Sequence, residues 1–392
     1  MKRLLFFLLL FSSCSPAQKG PQRNGKNPDK VRRNSNPPVN DPNQVQTSPA
    51  PEINTSVQSD GDLKEPLRGL VCRDFDRIDA GGSDDDMMKI TNGVIIQLYW
   101  ADIQPQENGP IVRENRLDKA LEWVRKFKAK YGVDIPIKVR LYCGLHSPSW
   151  LINKGSFTIK DEKIPKYWEP YFISAFADVQ QKLAAIYDNV PEIREVVDGA
   201  TGLNSAENFI RPFGDKGAKQ MAGNIFLRAG YTKDKDSIAI VKSYDAMKAW
   251  KHTLISVCYS SYQYLDSRGN AYETADGTVP FINMFVNEFG KQAVIGNNGL
   301  RTTAGKHGED FAEGGERYKL FNYFKKLHQE KGVKVYFQTS TAERAGGDLA
   351  PVIEDGIKYG ALYIELPTSP KQYRTLLGNN LESLNKNLKN NH

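Results

Sequence analysis

Through residues 65–392, short runs of branched and aromatic residues alternate with longer stretches in which apolar residues recur every three or four positions. The first pattern predicts strands buried on both faces, the second helices with one apolar stripe. The strand-like runs are 69–72, 93–100, 137–144, 193–200, 254–258, 293–296, 333–338 and 361–366. Leu117, Ala120, Leu121, Val124 and Phe127 mark a helix that Gly132 closes. Phe172, Phe176, Val179 and Leu183 form the stripe of a helix over 170–187, and further helices are expected at 236–252, 281–289, 318–329, 349–359 and 372–388. The run at 254–258 also reads as an extension of the helix before it. Residues 208–235, rich in Gly and Lys, read as a long rim loop.

Eight strand–helix units in order predict an α/β fold, a (β/α)8 TIM barrel, which commonly takes ~250 residues and tolerates insertions. The competitor is an open doubly wound sheet. That fold carries a Gly-rich phosphate turn after its first strand, and Asp79-Ala80-Gly81-Gly82-Ser83 is not such a turn.

Upstream, the pattern changes. Met1-Lys2-Arg3 precedes the apolar run Leu4 to Phe11, the layout of a signal peptide and too short to span a bilayer. The run ends Phe11-Ser12-Ser13-Cys14. Small residues before a cysteine resemble the lipobox of bacterial lipoproteins, with Phe11 where an aliphatic residue is usual. That resemblance implies cleavage before Cys14, lipid on its sulfur, and a membrane-anchored protein of the cell envelope, periplasmic or on the cell surface. Several acyl chains, at about 0.8 kcal/mol per buried CH₂, anchor firmly where one does not. Residues 15–64 are rich in Pro, Asn, Gln, Ser and Lys and hold too little apolar surface to offset ordering entropy, which predicts a tether. The expected organisation is a leader over 1–13, a tether over 14–64 and a barrel over 65–392.

The net charge of +7 lies largely in the leader and tether, so the barrel offers no basic face for nucleic acid. Cys72, Cys143 and Cys258 are widely spaced, with no CxxC, and read as small buried hydrophobes. No HxH or HExxH occurs, and the pattern implies neither metal nor cofactor.

In a barrel, chemistry sits at the C-terminal ends of the strands. Those ends carry Trp100 and Asp102; Arg140, His146 and Trp150; Asn204 and Glu207; Asn298; Gln338 and Glu343; and Glu365. Indoles, amides and carboxylates together suit a sugar, which has an apolar C–H face and a hydroxyl edge. The run Trp100-Ala101-Asp102-Ile103-Gln104-Pro105, the stretch Ser147-Pro148-Ser149-Trp150-Leu151 and a glutamate after strand four resemble the barrel glycosidases of the cellulase and β-galactosidase superfamily. The resemblance implies an oligo- or polysaccharide substrate and a retaining mechanism. It makes Glu207 the acid/base and Glu343 the nucleophile, which such a mechanism holds about 5–5.5 Å apart. Ala206 stands where the family has Asn; Asn208 is an alternative to it.

Each residue also has a plainer role. Glu207 with Asn204 fits a capping box, Glu343 could pair with Arg344, and Glu365 would need a partner such as Arg140. Trp100 and Trp150 could be packing, as Trp123 and Trp168 are expected to be. Glu365 and Asp102 rival Glu343 as the second carboxylate. A glycan-binding lipoprotein on the same scaffold is the alternative to an enzyme. A different hydrolase, or a lyase, would use Asp102, His146 or Glu365.

Overall fold

The structure is a computed structural model that describes residues 63–73, 75, 85–159, 161–213, 223–302, 308–341, 347–367 and 372–391. The chain divides between Asp60 and Gly61, and all of these residues belong to the second part. Cys14, the segment from Asp79 to Ser83, Glu343 and Arg344 lie outside the described residues.

Eight parallel strands close on themselves: β1 (Gly69–Cys72), β2 (Val94–Tyr99), β3 (Ile137–Tyr142), β4 (Ile193–Val197), β5 (Leu254–Cys258), β6 (Ala293–Leu300), β7 (Lys334–Thr339) and β8 (Ala361–Leu366). Each pairs with its successor and β8 returns to β1, where Gly69 lies opposite Tyr363. This is the (β/α)8 barrel expected from the eight apolar runs.

Among the described residues the helices in chain order are α1 (Asp85–Ile90), α2 (Trp100–Ile103), α3 (Arg116–Tyr131), α4 (Ser149–Lys154), α5 (Pro170–Tyr187), α6 (Lys233–Met247), α7 (Val279–Phe289), α8 (Glu316–Lys331), α9 (Ala350–Lys358), α10 (Tyr373–Leu377) and α11 (Leu381–Lys389), and residues 223–228, inside the segment expected to be a rim loop, are helical as well. The stripe of α3 is buried as expected, and Gly132 ends it in the left-handed region. Among the described residues no helix is long and apolar enough to cross a membrane.

The run 254–258 is a strand, and α6 stops at Met247 rather than reaching 252. The carboxylate of Asp188 explains the break. It accepts the backbone N–H groups of Lys251 at 2.7 Å and of Thr253 at 2.9 Å, turning the chain into β5. The last helix is broken at Gly378, whose φ of 54° α-helix cannot accommodate, so α10 and α11 are separate. Two antiparallel hairpins went unpredicted: Ser156–Ile159 with Glu162–Pro165, and Tyr262–Leu265 with Ala271–Thr274. They follow β3 and β5 and so stand at the C-terminal end of the barrel.

The main core lies between strands and helices. A smaller one fills the barrel's lower interior with Val71, Ile95, Leu254, Val294, Tyr336 and Tyr363. Cys72, Cys143 and Cys258 are all buried.

Candidate active site

On β3, Lys138, Arg140 and Tyr142 share one face. Cβ positions alternate along a strand, so all three point into the barrel. Lys138 is fully buried above the lower core. Its ammonium reaches Glu195 and Glu365 at 2.9 Å each and the Tyr363 hydroxyl at 2.7 Å, and it lies 3.3 Å from the centre of the Tyr336 ring. Tyr363 in turn donates to Glu195 at 2.6 Å. One step nearer the mouth, Arg140 Nη2 meets both Glu365 oxygens at 2.6 and 2.7 Å, and Nη1 donates to Gln338 at 3.0 Å. Two buried cations thus face two buried carboxylates. Burial alone would raise the Glu365 carboxyl, but Arg140 and Lys138 outweigh it and hold the group below its ordinary value.

Asn298 on β6 links this layer to the surface. Its Oδ1 faces two donors, Arg140 at 3.3 Å and the Tyr336 hydroxyl at 3.4 Å, which leaves its N–H group for Glu207 Oε1 at 2.9 Å. Glu207 is half-buried in the loop after β4. Glu207 and Arg140 both act on the Cys258 thiol and the Tyr142 hydroxyl, and burial raises both of those groups. Beside them His146 stacks on Tyr99 with centroids 4.2 Å apart and leans on Tyr142 at 5.7 Å. Burial lowers the His146 pKa against the pull of Asp102, so the ring is neutral at pH 7. Among the described residues the mouth therefore offers the Glu207 carboxylate, aromatic faces and amides. Among the described residues no cluster of three His, Cys, Asp or Glu could hold a metal.

Local packing fixes this arrangement. Gly144, with φ of 49°, lets the loop after β3 pass so close to Leu203 that a Cβ would lie 2.1 Å from its carbonyl oxygen. Leu145 N–H then donates to that same oxygen at 2.9 Å. The Ala206 methyl packs toward Gly199, where a larger side chain has no room. Asn208 is buried and ties the loop together, donating to the Asp198 carbonyl and accepting from Thr201 N–H. It supports Glu207 rather than standing in for Ala206 in the mouth.

Several expectations are corrected. Trp100 does not face sugar: it is fully buried against Phe172 and Phe176 of α5, and its indole N–H goes to Gln104. Trp150 packs edge-on against Trp100 and donates its N–H to the Gln104 carbonyl, leaving only a part-exposed face. Glu365 and Arg140 are buried under Asn298 and Gln338, so they support the site instead of touching a ligand. Glu365, neutralised by two cations, is no rival nucleophile. No helix starts at Asn204, which is exposed, so Glu207 is not a capping residue. Asp102 is exposed on α2, near His146. Arg140 points inward and is the partner that Glu365 was expected to need. Trp168 is core, and Trp123 packs against Phe75 and Phe127.

The residues missed were Tyr99, Tyr142, Lys138 and Glu195. Two cations at alternate positions of a fully buried strand were the available signal, because such charges must meet acids inside the barrel.

No family model matches this chain, and no curated protein matches it. Among solved structures it is similar to the catalytic domain of a β-amylase from Paenibacillus polymyxa, at 11% identity over 78% of this chain and 92% of that chain, with a TM-score of 0.48. It is also similar to an endo-β-1,4-glucanase from Xanthomonas axonopodis pv. citri, at 11% identity over 82% and 99% of the two chains, with a TM-score of 0.45. A third is a xyloglucan-specific endo-β-1,4-glucanase from a metagenomic library in complex with cellotriose, at 11% identity over 78% and 87%, with a TM-score of 0.40. At such identities and scores these likenesses carry no argument about activity.

Proposed function

We propose that the chain is a glycoside hydrolase acting on an extracellular glycan, with Glu207 as acid/base and Glu343 as nucleophile in a retaining reaction. One observation carries this reading. Glu207 stands in the aromatic mouth of a closed barrel, with Asn298 on one oxygen and the neutralised Arg140–Glu365 pair beneath it. An acid/base works by passing one proton to the leaving oxygen and later taking one from water. Tyr99 and His146 supply the flat faces that a sugar ring packs against. The nucleophile falls five positions after Gln338, on the chain leaving β7. In this reading the protein is held at a membrane of the cell envelope by lipid on Cys14.

The test is a hydrolysis screen over polysaccharides and aryl glycosides, comparing wild type with Glu207→Gln and Glu343→Gln. Glu207→Gln is expected to lower kcat by roughly 10²–10⁴, and Glu343→Gln to stop turnover. The first product of the wild type should keep its anomeric configuration by NMR. Unchanged kcat in Glu207→Gln overturns the assignment.

A second reading, a glycan-binding lipoprotein, is favoured by one feature. The inward side chain at the end of β7 is the amide Gln338, tied to Arg140 and to the Asn298 carbonyl, and not a carboxylate. Glycan binding that is lost in Tyr99→Ala, with no hydrolysis by wild type, would select it.

A further inference from the structure

The loop that carries Glu207 has no regular secondary structure between β4 and residue 213. From the contacts beneath it we infer that Arg211 is a positioning residue for Glu207, an inference that rests on the acid/base reading above. Arg211 is buried, and its guanidinium gathers the loop from inside. Nη1 donates to the carbonyl of Asn208, the residue after Glu207, at 2.6 Å, and to that of Ile210 at 3.2 Å. Nη2 lies 3.4 Å from the Thr201 hydroxyl and 2.5 Å from Asp236. Both ends of the turn that presents Glu207 are therefore held by one planar group.

What holds the guanidinium is equally well built. Asp236, in the first turn of α6, also accepts the hydroxyls of Tyr167 at 2.9 Å, Tyr231 at 3.0 Å and Tyr262 at 3.0 Å. These come from the segments before α5, before α6 and from the hairpin after β5, so three neighbouring units of the barrel fix one carboxylate. The same hairpin holds the loop a second time, because Gln263 accepts Arg211 N–H at 2.7 Å and its own N–H lies 3.3 Å from the Phe209 carbonyl. A buried ion pair is a weak source of net stability, since desolvation offsets most of the attraction. Its geometric effect does not cancel in that way. A fork of fixed donors sets where the Asn208 carbonyl sits, and hence where Glu207 stands relative to Asn298.

Arg211→Lys keeps a charge opposite Asp236 but cannot reach Asn208, Thr201 and Asp236 together. Arg211→Met removes both charge and donors. Three measurements separate the outcomes: cooperative unfolding, amide hydrogen exchange over 201–209, and kcat and KM on the best substrate of the screen. In Arg211→Lys we expect cooperative unfolding, exchange over 201–209 faster by roughly tenfold, kcat lower by ~10–100-fold and KM within about twofold. Exchange as slow as in wild type, or kcat unchanged in a loosened loop, overturns the inference. So does an equal loss in kcat and in KM-governed binding. Should Arg211→Met not fold, Asp236→Asn tests the same clamp and is expected to loosen the same amides. If the wild type hydrolyses nothing, the hydrolase reading falls, and exchange over 201–209 alone decides whether Arg211 holds the loop.

Discussion

Asp198 at the end of β4 is a buried carboxylate with no ion pair among the described residues. The titratable groups around it, Cys143, Tyr244 and Tyr259, are neutral at pH 7. Its Oδ2 lies 2.6 Å from Ser243 Oγ, which lies 2.7 Å from the Ile240 carbonyl. One hydroxyl proton cannot serve both acceptors. A protonated Asp198 resolves the conflict by donating to Ser243 while Ser243 donates to Ile240. Burial, opposed by bonds from Ser243 and Ala200, pushes the group from 3.8 up to about 6. Between those values the native state holds the proton more firmly than the unfolded chain. This contribution to stability is thus present in acid and lost as pH rises toward 6, a change of roughly 3 kcal/mol. Asp198→Asn can make the same bonds without ionising. Urea unfolding should find it as stable as wild type or more so at pH 7.5, with the loss of stability between pH 4 and 6 removed. A variant clearly weaker at pH 7.5 would count against this account. At this scale the sequence was only partly legible. The Arg140–Glu365 pair followed from the need of buried charge for a partner. The indole at 100 did not follow, because β2 is buried on both faces and shows no polar alternation to tell inward from outward. Parity with Ile96 and Leu98 turns Trp100 toward α5, while Tyr99 shares the inward face with Gln97.

Elements were easier to read than residues. All eight strands are short apolar-rich runs and most of the longer helices carry an apolar stripe, and burial forces this patterning on them. The hairpins after β3 and β5 lack it. They lie on the rim, where most of their side chains are at least partly exposed, and pairing between short strands depends on contacts with the barrel. Helix ends depend on single side chains. Asn115 caps α3, accepting from the N–H groups of Leu117 at 2.8 Å and Asp118 at 3.3 Å, while its amide donates to Val112 and to the Tyr187 hydroxyl of α5. One residue thus starts α3 and joins it to α5. Asn115→Ala should lower the free energy of unfolding by roughly 1–3 kcal/mol in denaturant titration. A change near zero would mean that water replaces the cap.

For the molecule as a whole, closure of the barrel was legible from the count of units, and the content of its mouth was not. Separate strands supply the mouth residues, and only the closed register sets Arg140 across from Gln338 and Glu365. The upstream part is legible as composition alone. A chain beginning at Gly61 keeps Lys64, whose ammonium binds the Val190 and Ile193 carbonyls at 2.8 Å each. It is expected to unfold at the same temperature as the full chain by calorimetry. In the lipoprotein reading it leaves the membrane fraction on cell fractionation, as does Cys14→Ser. A full-length Cys14→Ser that stays with the membrane would refute the anchor.

The interior quartet of Lys138, Arg140, Glu195 and Glu365 also bears on how such a chain can change over time. Losing any one member strands an opposite charge where water cannot reach it, so single substitutions there are the least tolerated in the barrel. Exchange for an apolar filling must come in matched pairs, one acid with one base. The centre of the barrel can therefore change only two positions at a time, whatever happens to the chemistry above.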